Sequence, residues 1–192
     1  MKQSQGVYGI GSVGLSTMFF LNETSILPPT SLLFVRSNFE KKLEGKAIES
    51  LSSRKKLDAF KILSNSGLVK IIECTVETIN EAGKTLLKIF ENQKMYNIVG
   101  LGGESGDFFV KLLEVQVKKE QEITSFCILP FKFEGTKRIN YAQYQLETIM
   151  KMQGKTIVLK NDDLLKKENK NLSFEEAFAN YHKIIRDGIY DR

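Results

Sequence analysis

YNIVGLGGESGDFF, residues 96–109, reads as three pieces in succession. YNIVGL is a short apolar run with β-branched and aromatic residues, the make-up of a strand. GGESG is a turn in which glycine supplies the backbone freedom. DFF opens the longer pattern DFFVKLLEVQVKK (107–119), whose apolar residues recur at helical steps. A strand that runs through a glycine-rich turn into a helix offers backbone N–H groups at the helix start, and many proteins hold a phosphate that way. Here the turn also carries Glu104 and Asp107, two negative charges where a phosphate would sit.

The same unit recurs along the chain. Strand-like runs are VYGI (7–10), SLLFV (31–35), VKIIECTV (69–76), YNIVGL (96–101), ITSFCILPF (123–131) and KTIVLK (155–160). Several are apolar without alternation, which marks strands buried on both faces. Helical patterns lie between them at 53–63, 77–90, 107–119 and 139–152. A last helix is expected from Ser173, whose hydroxyl and Glu176 three residues on form a capping box. Alternating strand and helix implies an α/β fold: a Rossmann-like, three-layer parallel sheet with helices on both faces. Ligands of such sheets bind at the carboxyl ends of the strands.

Composition narrows the field. A chain of 192 residues, 42% hydrophobic, is long enough for one domain with a substantial core. The formal net charge is +5, but acids are interleaved among the lysines and the arginines are not clustered. No nucleic-acid partner is expected. Lys166–Asn171 reads as a solvated loop. Cys74 and Cys127 lie in apolar runs and read as buried free thiols. The single histidine, His182, excludes chemistry that needs paired imidazoles. GVYGIGSVGLSTMFFL (6–21) is broken by four glycines and two serines, so neither a signal peptide nor membrane insertion is expected. A cytoplasmic protein is.

Three motifs bear on phosphate binding. Gly9, Gly11 and Gly14 form G-x-G-x-x-G after the first strand. A dinucleotide fold would place an acid at the end of the second strand, where the chain has Arg36 instead. Gly83-Lys84-Thr85 lacks the first glycine of a P-loop, since Thr78 stands there, and it lies inside a helical pattern. The third is the turn of the opening stretch.

PFKFEGTKR (130–138) adds a more specific word: a strand ends at a proline and a charged turn opens a helix. It closely resembles a segment of FtsZ. TIVLKNDDLL (156–165) resembles the family's strand ending in Pro-Asn-Asp-x-Leu-Leu. LSFEEAFANYHKIIRDGI (172–189) resembles the start of its central helix. GLGGESGDFF (100–109) falls where FtsZ has its glycine-rich signature, and GIGSVGLST (9–17) where it has its first glycine loop. The chain is identified as similar to the FtsZ/tubulin nucleotide-binding domain. The resemblance implies diphosphate contacts at Gly11, Ser12 and Gly14, and a phosphate cradle at Gly102, Gly103, Ser105 and Gly106. It implies ribose and phosphate contacts at Glu134 and Arg138, guanine recognition by Asn161, and base stacking on Phe178.

Departures from the family pattern shape the functional expectation. Glu104 and Phe108 replace glycines, and Asp107 replaces a threonine, in the signature turn. A carboxylate within about 4 Å of a phosphate repels it by roughly 1 to 4 kcal/mol. Arg36-Ser37-Asn38 replaces an Asn-Thr-Asp, and residues 40–68 read as lysine-rich helix where the family has a covering loop. His182 falls about where the family reads guanine with Asn or Asp. The chain is expected to be a single FtsZ-like domain over 1–192, without the family's second domain and catalytic loop. The leading expectation is a divergent FtsZ-like protein with no catalytic residue and no bound cofactor. It would act by contacts with itself or a full-length FtsZ-like protein, in cell division or another cytoskeletal task. The alternative is a GTP-binding protein with slow turnover, taking GTP or GDP with magnesium. A third reading builds a cation site from Glu104, Asp107, Asp162 and Asp163.

Overall fold

The computed structural model describes residues 4–24, 27–28, 30–35, 39–47, 51–73, 93–119, 122–166 and 172–190. The helical pattern at 77–90, Arg36 and Cys74 lie outside the described residues.

The strands are β1 (Ser4–Ile10), β2 (Thr30–Val35), β3 (Val69–Glu73), β4 (Gln93–Gly100), β5 (Ile123–Leu129) and β6 (Lys155–Lys160). They form one six-stranded sheet in the order β3-β2-β1-β4-β5-β6. Every pairing is parallel. The helices are α1 (Gly11–Glu23), α2 (Phe39–Ala47), α3 (Leu51–Asn65), α4 (Glu104–Gln116), α5 (Thr136–Met150) and α6 (Phe174–Tyr190). The α/β sheet read from the sequence is the sheet observed.

The pleat assigns alternate residues to opposite faces. Tyr8, Ile10, Leu32, Phe34, Met95 and Val99 face α4 and α5, meeting Phe108, Phe109, Leu112, Leu146 and Ile149. Val7, Tyr96, Ile98, Phe126 and Ile128 face the other way, against Leu21 of α1 and Tyr181, Ile185 and Ile189 of α6. Leu33 and Val35 share that second face with Leu15 and Met18 of α1 and with Leu57, Phe60 and Leu63 of α3. Both faces being covered, the central strands lack polar alternation, and β5 is buried at every position but its last.

One polar pair lies inside the first core. Asn97 of β4 and Gln116 of α4 are both fully buried. The Asn97 Nδ2 donates to Gln116 Oε1 at 2.9 Å, and Gln116 Nε2 donates back to Asn97 Oδ1 at 3.0 Å. Two amides that satisfy each other can be buried at little net cost, whereas one left alone loses the full value of its hydration. At the last helix the expected cap is present. The Ser173 N–H and hydroxyl both donate to Glu176 Oε2, at 2.7 and 2.8 Å, and the Glu176 N–H donates to Ser173 Oγ at 3.3 Å.

Gln116→Leu is expected to lower unfolding stability by about 1–3 kcal/mol, because Asn97 is left unsatisfied. Adding Asn97→Leu should return part of that loss. Urea unfolding of the two variants and the parent measures both steps.

Candidate functional site

β1 and β4 are neighbours at the centre of the sheet, and the chain leaves them in opposite directions across it, to β2 and to β5. This is the switch point at which strand ends leave room for a ligand. Both glycine turns sit there. α1 begins at Gly11 and α4 at Glu104, so two helix N-termini meet at one place. Each presents the positive end of its dipole.

Steric contacts bring the turns together. Gly11 has φ +65°, and a Cβ on it would collide with the Ser105 hydroxyl. Gly14 packs directly on the backbone of Gly9, so α1 lies close against β1. A Cβ at Gly100 would come within 2.7 Å of Val13 Cγ2. Gly102 has φ +88°, and a Cβ there would lie 2.8 Å from Arg138 Cγ and 2.9 Å from Arg138 O. Ser12 is half-buried in the first turn of α1. At Gly103 the space where a Cβ would point is open.

The acids of the turn go to different places. Asp107 is held toward α5: its Oδ1 accepts from the Tyr141 hydroxyl at 2.5 Å and from Gln145 Nε2 at 2.8 Å. The Asp107 carboxylate, followed by partial burial, pushes the Tyr141 phenol above its usual range. Phe108 is buried and packs on Phe34 with ring centroids 5.5 Å apart, so its bulk enters the core. Glu104 is exposed at the first position of α4.

The next strand ends continue the site. Glu134 Oε2 pairs with Arg138 Nη1 at 2.8 Å, and Glu134 Oε1 accepts the Phe131 N–H at 2.7 Å. Asp162 Oδ1 accepts the Lys132 N–H at 3.0 Å, tying the end of β5 to the end of β6. Asp163 pairs instead with Lys166 at 2.9 Å. The acids of the proposed cation cluster are thus directed to separate partners, and no group of three or more metal-ligating residues forms among the described residues. Asn161 starts the turn after β6, and its Oδ1 is buried with no hydrogen-bond partner. Phe178 is half-buried and meets Phe131 edge-on at 6.3 Å. Beside it, burial and then the charges of Asp163 and Asp162 push the Tyr181 phenol up to about 12. Its hydroxyl donates to the Lys160 carbonyl. Away from these strand ends, burial pushes the Cys127 thiol up to about 12, and it remains a free, inert cysteine.

Sequence reasoning missed Gln145. It is buried, its Oε1 accepts the Gly102 N–H at 2.8 Å, and its Nε2 donates to the Gly103 carbonyl at 3.0 Å. The signal was available: Gln145 is a polar residue on the buried stripe of α5 that also holds Ala142, Leu146 and Ile149.

No established family profile matches the chain. Individual proteins do. The cell division protein FtsZ 1 of Pyrococcus woesei is 29% identical over 185 residues, covering 95% of this chain and 49% of that protein. The mitochondrial division protein fszB of Dictyostelium discoideum is 26% identical over 113 residues, covering 57% of this chain and 31% of its own. Among solved structures, the empty FtsZ dimer of M. jannaschii superposes with a TM-score of 0.68 at 16% identity, over 97% of this chain and 53% of that one. The chain is similar to FtsZ proteins in sequence and in fold. CetZ1 from Haloferax volcanii, a GDP-bound monomer, superposes at 0.60 with 15% identity, over 96% of this chain and 58% of its own. The chain spans about half the length of the curated relatives it matches best in coverage. No described helix is long and apolar enough to cross a membrane.

His182, mapped by family likeness to a base-reading position, lies on α6 with its ring 5.1 Å from that of Phe20 on α1. Burial holds its pKa down at about 4, against an ordinary 6.5. The unfolded chain therefore takes up this proton first as pH falls. Stability is full above pH 6.5 and declines down to about 4, by about 3 kcal/mol from this group. His182→Phe should remove that share of the slope. Thermal or urea unfolding of both proteins across this range measures the difference.

Proposed function

We propose that this chain is an FtsZ-like nucleotide-binding domain that takes a guanine nucleotide at the carboxyl ends of β1, β4, β5 and β6. In this reading it works through protein contacts in cell division or a cytoskeletal task, and hydrolyses nucleotide slowly or not at all.

The observation that carries the reading is Asn161. A buried amide oxygen without a partner costs about 1–3 kcal/mol, and Asn161 Oδ1 is one. Guanine offers two adjacent N–H donors on its pairing edge, N1–H and the exocyclic amine, whereas adenine sets its single amine beside an acceptor nitrogen, so a guanine base fits that oxygen better. The tight approach of Gly11 to Ser105 supports diphosphate at the meeting of the two helix N-termini. Phe178 would stack on the base, and Glu134 and Arg138 would meet ribose and phosphate. A magnesium ion would arrive with the nucleotide, taking phosphate and water oxygens. The reading of slow turnover is supported by the acids at this edge, since Asp107, Glu134 and Asp162 each already accept a hydrogen bond from the protein, which draws them toward the protein and away from a water they would activate.

The relatives support the setting. The Pyrococcus proteins are cell division proteins, the CetZ1 structure holds GDP, and the M. jannaschii FtsZ is a dimer. The partner proposed here is accordingly a second copy or a longer FtsZ-like protein. Glu104, exposed at the start of α4, favours a second reading in which the pocket is vestigial and only the protein contacts remain.

Calorimetric titration with GTP and GDP, with ATP as control, in magnesium buffer separates the two. Guanine-specific binding with a Kd near about 1–100 μM is expected. Asn161→Leu should erase the preference for guanine over adenine. No heat at millimolar nucleotide would overturn the binding reading and leave the vestigial one. Phosphate release well above the buffer rate would overturn slow turnover.

A further inference from the structure

We infer that Gln145 is a positioning residue for the glycine turn: it holds residues 102–106 in one shape and turns the Asp107 carboxylate away from the place where an anion would bind. The inference rests on the nucleotide-binding reading above.

Gln145 belongs to α5, yet only 1% of its surface is exposed. Beyond its neighbour Tyr141 on the same helix, its carboxamide bonds to the turn before α4 and to the first turn of that helix. Oε1 accepts from the Gly102 N–H at 2.8 Å, and Nε2 donates to the Gly103 carbonyl at 3.0 Å and to Asp107 Oδ1 at 2.8 Å. Gly106 must be glycine for this to occur, because a Cβ there would collide with the Gln145 amide. Tyr141, one turn earlier on α5, donates to the same Asp107 oxygen.

Two consequences follow. A turn of glycines has many conformations to lose on binding a ligand, and prior fixation by bonds from a rigid helix removes that cost. The Asp107 carboxylate lies in the first turn of α4, where the N–H groups and the dipole attract negative charge. Left to rotate, it would occupy the helix N-terminus that a phosphate needs. Gln145 and Tyr141 give it donors on the α5 side instead. The aspartate that looks hostile to phosphate in the sequence is thereby a structural acceptor.

Three variants test this: Gln145→Leu, Gln145→Leu with Asp107→Asn, and Tyr141→Phe, whose partly exposed site makes loss of folding no concern. Amide hydrogen exchange over 101–108 is followed in the free proteins, and GDP binding by calorimetry. In Gln145→Leu, exchange at Gly102 and neighbouring amides should rise about tenfold, and GDP should bind about tenfold more weakly. Asp107→Asn should recover part of the lost affinity without slowing exchange, which a merely structural role would not produce. Tyr141→Phe should weaken GDP in the same direction by less. Unchanged exchange in Gln145→Leu overturns the inference whatever the parent protein binds. Faster exchange with unchanged GDP affinity overturns the positioning role alone. Faster exchange in a protein whose parent form binds no GDP overturns the nucleotide reading and the binding role together, while the hold on the turn stands.

Discussion

The pairing of β1 with β4 sets everything that matters at the functional edge. β1 is bonded in parallel to β2 on one side and to β4 on the other, so the sheet grows outward from that pair in both directions. The helices that follow β1 and β4 must then cover opposite faces, and their starts are left side by side. The separation of those starts is governed by a few atoms. Gly9 and Gly14 let α1 press on β1, with Met18 Sδ only 2.5 Å from where a Gly9 Cβ would be. Gly11 lets Ser105 close on it. A methyl group at any of these places would push a helix away from the sheet, and the cleft would change shape before any ligand arrived.

Charge at that edge is a competition between internal and external anions. The first turn of α4 favours negative charge by about 0.3–1 kcal/mol per group, and Glu104 and Asp107 both take that place in the chain. An acid there stabilises the helix in the free protein and opposes phosphate in the bound one. The two acids differ in what surrounds them. Asp107 is held by α5, and Glu104 is exposed at the first position of α4. Glu134 is balanced by Arg138 at 2.8 Å, a pair half open to solvent and worth little to stability.

The fold was legible in the sequence because its signals are local. Runs such as ITSFCIL and helical spacing such as Phe109, Leu112 and Leu113 need no knowledge of the rest of the chain, and the Ser173–Glu176 cap spans a single turn. Strand order was not legible, since parallel neighbours are distant in sequence and nothing local names them. The candidate residues were legible as words, Gly-x-Gly and Phe-Glu-Gly, but their geometry was not. Asp107 read as an obstacle because its partners lie 34 and 38 residues away. Where Phe108 points depends on the helix phase, which the sequence does not give, and the phase sends it to Phe34. Gln145 went unread for the complementary reason: its role exists only once α5 lies over the turn.

The strand ends form a connected edge. Gly11 touches Ser105, Gly102 backs on Arg138, Arg138 pairs with Glu134, and the Lys132 N–H beside them is bound by Asp162, the neighbour of Asn161. All but the Arg138–Glu134 pair, which lies within one segment, join different segments of the chain. The short turn Lys132–Glu134 lies in the middle of this series. It carries Phe133, stacked on Phe131 at 4.7 Å and 70% exposed. Glu134 accepts the Phe131 N–H before that turn and Asp162 accepts the Lys132 N–H at its start, so the turn is fastened to two strand ends at once.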